Sequence, residues 1–316
     1  MINRILIRIK VVQLLYSYMT SGRTLSAKEA CKELEKSLDM GYDLYHYLLL
    51  LMVELTELHA DRLEQAKEKY LPTEEDLNPN TKLIDNLFVK ALMEDADFRS
   101  FIEEKEHSKS KDPFTWRNDD IFMKLMLDRV LRSEEYAQYI DTEGNDYEED
   151  CVFWHSVMKN VILPDEELSD VLEAKSVFWN DDLYTVGSFV LKTIKKFEAR
   201  EENPIMPQYR NEDDRAFGPE LFMQAIDERE YCNSLINRYV NTEHWDVDRI
   251  ALMDRLIMTV AISEVIHYPS IPTRVTLNEY IEIAKYYSTP RSGQYINGIL
   301  NSAVNYLRSS GRINKE

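Results

Sequence analysis

Four groups of residues in this chain have types and spacing that could do chemistry. Arg4, Arg8, Lys10, Arg23 and Lys28 all precede the first acidic residue, Glu29, and clustered cations of this kind neutralise phosphates. Tyr16 and Tyr295 could stack on unpaired bases, because single-stranded RNA is read mainly by stacking and base-edge hydrogen bonds. Asn297 beside Gly298 offers an amide that both donates and accepts, next to a residue whose missing side chain lets a strand or a helix approach closely. Tight helix packing accounts for that pair equally well. The fourth group, Glu104-x-x-His107 and Glu264-x-x-His267, has the spacing used in helical di-iron bundles. Such a site needs two further inward carboxylates, and the first histidine falls in a charged loop while the second lies just before Pro269. No glycine-rich phosphate loop, nucleophile elbow or paired zinc-ligand motif is present. The sequence therefore predicts a binding protein, with no catalytic residues, no metal and no cofactor.

The elements that must position these residues read as helices throughout. With 8 glycines and 10 prolines in 316 residues, the chain lacks the turns that a β-rich fold needs. Residues 3–19 place Ile5, Ile9, Val12, Tyr16 and Met19 along one stripe, with Arg4 and Arg8 beside it, so these five are expected to face the core. On that stripe Tyr16 is a core candidate as well as a stacking platform. Ser26 and Glu29 form a capping-box signal that opens a helix running towards Tyr70. Leu83 to Phe101 and Leu221 to Val240 each read as one amphipathic helix. Thr276 to Glu279 reads as a second capping box, Ser292 as the cap of a final helix, and the tail after Arg308 as frayed. A faint echo, Trp116-x-x-Asp119, Trp179-x-x-Asp182 and Trp245-x-x-Asp248, has too little other identity to establish a repeat.

Bulk properties narrow the class further. The formal charge of −19 opposes any broad encounter with nucleic acid, so an RNA site must be small and confined. The apolar stretch Leu44 to Leu55 is far short of the ~20 residues that span a bilayer. Arg8 and Lys10 interrupt the opening apolar run, and no small-residue cleavage site follows it. Cys31, Cys151 and Cys232 are odd in number and widely spaced, which predicts free thiols and a cytoplasmic setting.

The stretch Ile271-Pro272-Thr273-Arg274-Val275-Thr276-Leu277-Asn278-Glu279-Tyr280-Ile281-Glu282-Ile283-Ala284-Lys285, followed in register by Ser292-Gly293-Gln294-Tyr295-Ile296-Asn297-Gly298-Ile299-Leu300, resembles the linked motifs of the NusB transcription antitermination family. Trp245 to Arg249, Asp254-Arg255, and Arg4, Arg8, Gln13, Leu15 and Tyr16 of the first helix are similar to the same family. The resemblance implies an all-α bundle of two helical subdomains, formed by residues 1–70 and 219–316 and interrupted by an acidic helical insertion and linker over 71–218. It implies RNA contacts by Arg4, Arg8, Lys10, Tyr16, Gln294, Tyr295 and Asn297, and a protein-partner interface at Asp254, Arg255 and Arg291. The implied partners are boxA-like RNA, a NusE-type small-subunit ribosomal protein and the RNA polymerase antitermination complex. Arg291 stands where many family members carry an acidic residue. A reading from another class is a helical protein-protein adaptor, in which the acidic insertion recruits basic factors and RNA binding has been lost.

Overall fold

The computed structural model describes residues 1–22, 25–108, 113–179, 181–240, 250–289 and 292–315. Among them every regular element is helical, and no strand occurs. The helices are α1 Arg4–Thr20, α2 Ala27–Lys67, α3 Glu74–Leu77, α4 Leu87–Glu94, α5 Ala96–Glu106, α6 Asp120–Leu131, α7 Glu134–Ile140, α8 Tyr147–Val157, α9 Glu166–Lys175 and α10 Leu183–Glu198. After these come α11 Glu212–Asp227, α12 Arg229–Tyr239, α13 Leu252–His267, α14 Thr273–Tyr287 and α15 Ser292–Ser309. The third Trp-x-x-Asp motif, at Trp245 and Asp248, lies outside the described residues.

The chain forms two compact units, one from Met1 with Asp39–Gln208 and the other from Ile2–Leu38 with Tyr209–Glu316. The crossing between Leu38 and Asp39 falls inside α2, which is uninterrupted at that point. Sequence breaks, which placed boundaries at 70 and 218, carry no signal of a helix shared between units. α2 opens as its capping box requires, with the Ser26 amide donating to Glu29 Oε2 at 2.8 Å and the Glu29 amide donating to Ser26 Oγ at 3.2 Å.

In the first unit, the apolar stretch of α2 is the core, with Leu44, Leu48, Leu49, Leu51 and Met52 fully buried. Trp116 stacks on Tyr47 at 4.2 Å between ring centroids, and its indole N–H donates to the Tyr47 carbonyl at 2.8 Å. The helix expected over Leu83 to Phe101 is divided into α4 and α5. Asp95 sits at the junction and accepts from the amides of Asp97 and Phe98, both at 3.0 Å, so it restarts the helix as an N-cap.

The second unit is arranged around α13, which is buried from Leu256 to Val265 and packs against α1, α11, α12, α14 and α15. A helix that is apolar all round is a central helix. Gly218 lets α11 approach α1: a Cβ there would lie 2.8 Å from Ile7 Cγ2. The segment expected as one helix over Leu221 to Val240 breaks at Glu228. The tail is docked instead of frayed. Ile313 is buried, Arg312 pairs with Glu228 at 3.1 Å, and Lys315 Nζ donates to the Tyr268 carbonyl at 2.7 Å. A lysine at that position satisfies a carbonyl that the end of α13 leaves without a helical donor.

Candidate nucleic-acid interface

The orientation of α1 is set by one buried carboxylate. Arg8 is only 3% exposed, and its Nε and Nη2 donate to Glu264 Oε2 and Oε1 at 2.7 and 2.8 Å. Thr276 Oγ1 and Tyr280 OH, both from the motif segment of α14, donate to the same carboxylate at 2.7 and 2.9 Å. Each Glu264 oxygen thus accepts two hydrogen bonds, the arrangement that makes a buried ion pair tolerable. Burial opposes the Arg8 charge, but the hydrogen bond and charge of Glu264 outweigh it and hold the guanidinium above its ordinary pKa. Burial first, and then the neighbouring Glu264 charge, push the Tyr280 phenol well up. Thr276 is therefore committed to this network and does not cap a helix, and α14 begins earlier, at Thr273.

This inward Arg8 turns α1 over relative to the expected stripe. The buried residues are Leu6, Ile7, Arg8, Lys10, Val11, Val12 and Leu15, while Ile5 and Tyr16 are exposed. Tyr16, at 40% exposure, is a surface residue and not core. Arg8 and Lys10, expected to meet phosphates, are both interior in this fold. Arg4 is half-buried, paired through Nε with Asp214 at 2.9 Å and lying over the Phe217 ring at 4.9 Å.

The outward side of α1 meets the end of α14, where Gln13 Nε2 donates to Tyr287 OH at 3.1 Å. Tyr286, the preceding residue, is 76% exposed. Beyond it, Ser288 and Thr289 hydroxyls contact Ser292 Oγ at 3.0 and 2.8 Å, joining the end of α14 to the start of α15. On α15 Gln294 and Asn297 are exposed and Tyr295 is half-buried. Asn301 Nδ2 donates to Asn297 Oδ1 at 2.6 Å, forming an amide pair on the open face. Nothing lies within 4 Å of a Cβ placed on Gly298, so this glycine serves an open surface and not helix packing.

Of the expected partner residues, Asp254 is buried and accepts from Ser292 Oγ at 2.9 Å, so it ties α13 to α15. Arg255 Nη1 donates to Asn237 Oδ1 at 2.8 Å. Arg291 lies outside the described residues. Glu264, proposed by spacing as one half of a metal pair, is occupied by Arg8. No group of three or more His, Cys, Asp or Glu side chains among the described residues is placed to hold a metal ion. No helix among them is long and apolar enough to cross a membrane, and all three cysteines are free thiols.

Charge is divided sharply between the units. Residues 39–208 carry 39 acidic and 19 basic side chains, formally −20, while the remaining residues carry 18 and 19, formally +1. Within the second unit, residues 2–28 and 283–315 contain no acidic residue at all. The Gln13–Tyr287 contact brings these two acid-free runs together. The residues that single-motif reading missed, Tyr286, Tyr287 and Asn301, all lie in the second run, and that run was the signal that could have found them.

Residues 183–305 match the family model described as the NusB family. The chain is also similar to proteins named transcription antitermination protein NusB. The Salinibacter ruber protein is 36% identical over 101 residues, covering 32% of this chain and 62% of the relative. The Natranaerobius thermophilus protein is 42% identical over 77 residues, 24% of this chain and 55% of the relative. The Chloroherpeton thalassium protein is 39% identical over 75 residues, 24% of this chain and 36% of the relative. The matched segments thus span between about a third and just under two thirds of these relatives' own lengths.

Proposed function

We propose that this chain, a NusB-family member over residues 183–305, is a non-catalytic transcription antitermination factor. In this reading it binds boxA-like single-stranded RNA through its second unit, together with a NusE-type ribosomal protein. The supporting observation is the meeting of the two acid-free runs at Gln13 and Tyr287, flanked by exposed Tyr16 and Tyr286. Exposed aromatic rings flanked by runs of sequence without acidic residues suit unpaired bases on a polyanionic strand. Tyr16, Tyr286 and Tyr295 would stack on bases, and Gln294 and Asn297 would hydrogen-bond to base edges. Arg4 and Lys285, which pair with Asp214 and Glu282 in the free chain, would exchange these carboxylates for phosphates, with Arg8 and Lys10 supporting α1 from within. The chemistry is tethering: the RNA and the protein partner are held together on the transcription complex, and no bond is made or broken.

The test is the anisotropy of a labelled boxA-like RNA with the full chain and the NusE-type partner. Stacking on an aromatic side chain is worth about 1–3 kcal/mol per base, so Tyr16→Ala/Tyr286→Ala should weaken binding at least roughly tenfold with unfolding unchanged. Lys285→Ala should flatten the salt dependence by about 0.7 in log–log slope, the share of one phosphate contact on a single strand. Unchanged affinity in the double tyrosine variant would refute the surface.

A further inference from the structure

The second unit accounts for the nucleic acid, and the first unit, with its formal −20, is the wrong sign for one. Its surface holds a groove of about 390 Å³ between α7 and α8. The groove is floored by Tyr139 and Phe153, whose rings stack at 4.1 Å and 17°. Val152, 47% exposed, forms an uncovered apolar wall. Carboxylates of Glu135, Asp146, Glu148 and Glu149 ring it. Three of the four have partial internal duties. Asp146 caps α8 through the amides of Glu148 and Glu149, Glu135 accepts from Asn160 at 2.9 Å, and Glu149 accepts from Thr142 at 3.1 Å. Each of these contacts uses one carboxylate oxygen, and a carboxylate has about four lone-pair positions.

The fold supplies its own precedent for what such a place accepts. Lys82 Nζ lies 4.6 Å over the Tyr139 ring, donates to the Thr142 carbonyl at 3.0 Å and sits 3.6 Å from Glu149. A buried lysine from within the chain is thus already held by the aromatic and carboxylate groups that line the groove.

We propose that the α7–α8 groove is a docking site for a lysine- and arginine-rich segment of a protein partner, laid over Val152 with its cations against Glu135, Glu148 and Glu149. The apolar floor and wall receive the aliphatic stems of such side chains, which bury their methylenes and keep their charged ends at the rim. Charge complementarity selects the partner, since the unit's net charge repels polyanions and attracts polycations. This site is separate from the tyrosine surface of the second unit and stands whether or not that surface binds RNA.

The probe is a fluorescent lysine-rich dodecapeptide with one central leucine, titrated against the full chain, with a glutamate-for-lysine peptide as control. Glu148→Lys/Val152→Lys should weaken lysine-peptide binding at least about fivefold, several exposed charge contacts being lost together. Glu166→Lys/Asp170→Lys alters two exposed carboxylates on α9 and controls for diffuse charge; it should cost less than about twofold. A photo-reactive leucine in the peptide should label residues between 135 and 156. Equal losses in the two variants, labelling elsewhere, or no binding of the lysine peptide would each overturn the proposal. All the substituted side chains are on the surface, and unchanged thermal unfolding confirms that folding is not what the assay reads.

Discussion

One buried polar centre in each unit, Glu264 in the second and the histidines of α2 in the first, is accommodated in a different way. In the second unit the interior polar centre is Glu264, with all four of its hydrogen bonds made and a guanidinium against it. In the first unit α2 buries His46 and His59, and neither His46 Nε2 nor either ring nitrogen of His59 has a hydrogen-bond partner. His46 is stacked on Phe101 at 3.6 Å and behaves as a neutral aromatic ring. The surfaces differ as well, with −20 on one and +1 on the other. Placing the excess of carboxylates in one unit leaves the other near neutrality, although the chain as a whole is strongly acidic. Net charge computed over the full chain hides this division.

The sharpest way to break the comparison is to uncouple Arg8 from Glu264. Removing one member of a buried pair strands the other, at a cost of about 3–5 kcal/mol. Arg8→Ala should therefore lower the stability of the second unit by that order, read as lost amide protection in α1, α13 and α14 with α4–α10 unaffected. The double replacement Arg8→Met/Glu264→Leu should recover much of the loss, because apolar side chains of similar volume leave no buried charge. Loss spread evenly over both units would mean that they do not unfold separately.

A smaller effect is expected at the α1–α11 contact. Gly218→Ala drives a methyl group to 2.8 Å from Ile7, and overpacking of this kind costs about 1–3 kcal/mol. Gly298→Ala meets nothing within 4 Å and should stabilise α15 by about 0.5–1 kcal/mol, the usual penalty for glycine inside a helix. Chemical denaturation of the two variants should move the midpoint in opposite directions.

Acid should act on the first unit through His46. Burial pushes its pKa down to about 3, with the hydrogen bond to the Tyr42 carbonyl opposing and the Lys105 charge reinforcing the shift. An unfolded histidine titrates near pH 6.5, so between about 6.5 and 3 the unfolded chain binds a proton that the folded one does not. The stability of the first unit is therefore full above that window and is lost as pH falls through it. His46→Phe should reduce the acid sensitivity of α2 and α5 protection between pH 6.5 and 4, and an unchanged pH profile would contradict this account.

The all-helical class was legible because glycine and proline are scarce and apolar residues recur at helical spacing. The linked motifs at 271–285 and 292–300 were legible as a family resemblance. The facing of α1 was not. Its opening turns are apolar on nearly every side, so the stripe that helical spacing picks out from Ile5 to Met19 is one of several and not the face the fold buries. Only the position of Glu264, far away in sequence, fixes Arg8 inside. The same reasoning explains Asp254, which reads as a surface carboxylate until Ser292 is seen to donate to it. Tyr286 lies in the last turn of α14, outside the motif cores, and only the run without acidic residues that begins at Ile283 marks it in the sequence.

The most direct test of the central claim, that nucleic acid binds the tyrosine surface of the second unit and not the first unit, is ultraviolet crosslinking of boxA-like single-stranded RNA to the full chain with its NusE-type partner, mapped by mass spectrometry. The account predicts crosslinked peptides containing Tyr16, Tyr286 or Tyr295 and none from residues 39–208. Crosslinks concentrated in residues 39–208 would contradict it.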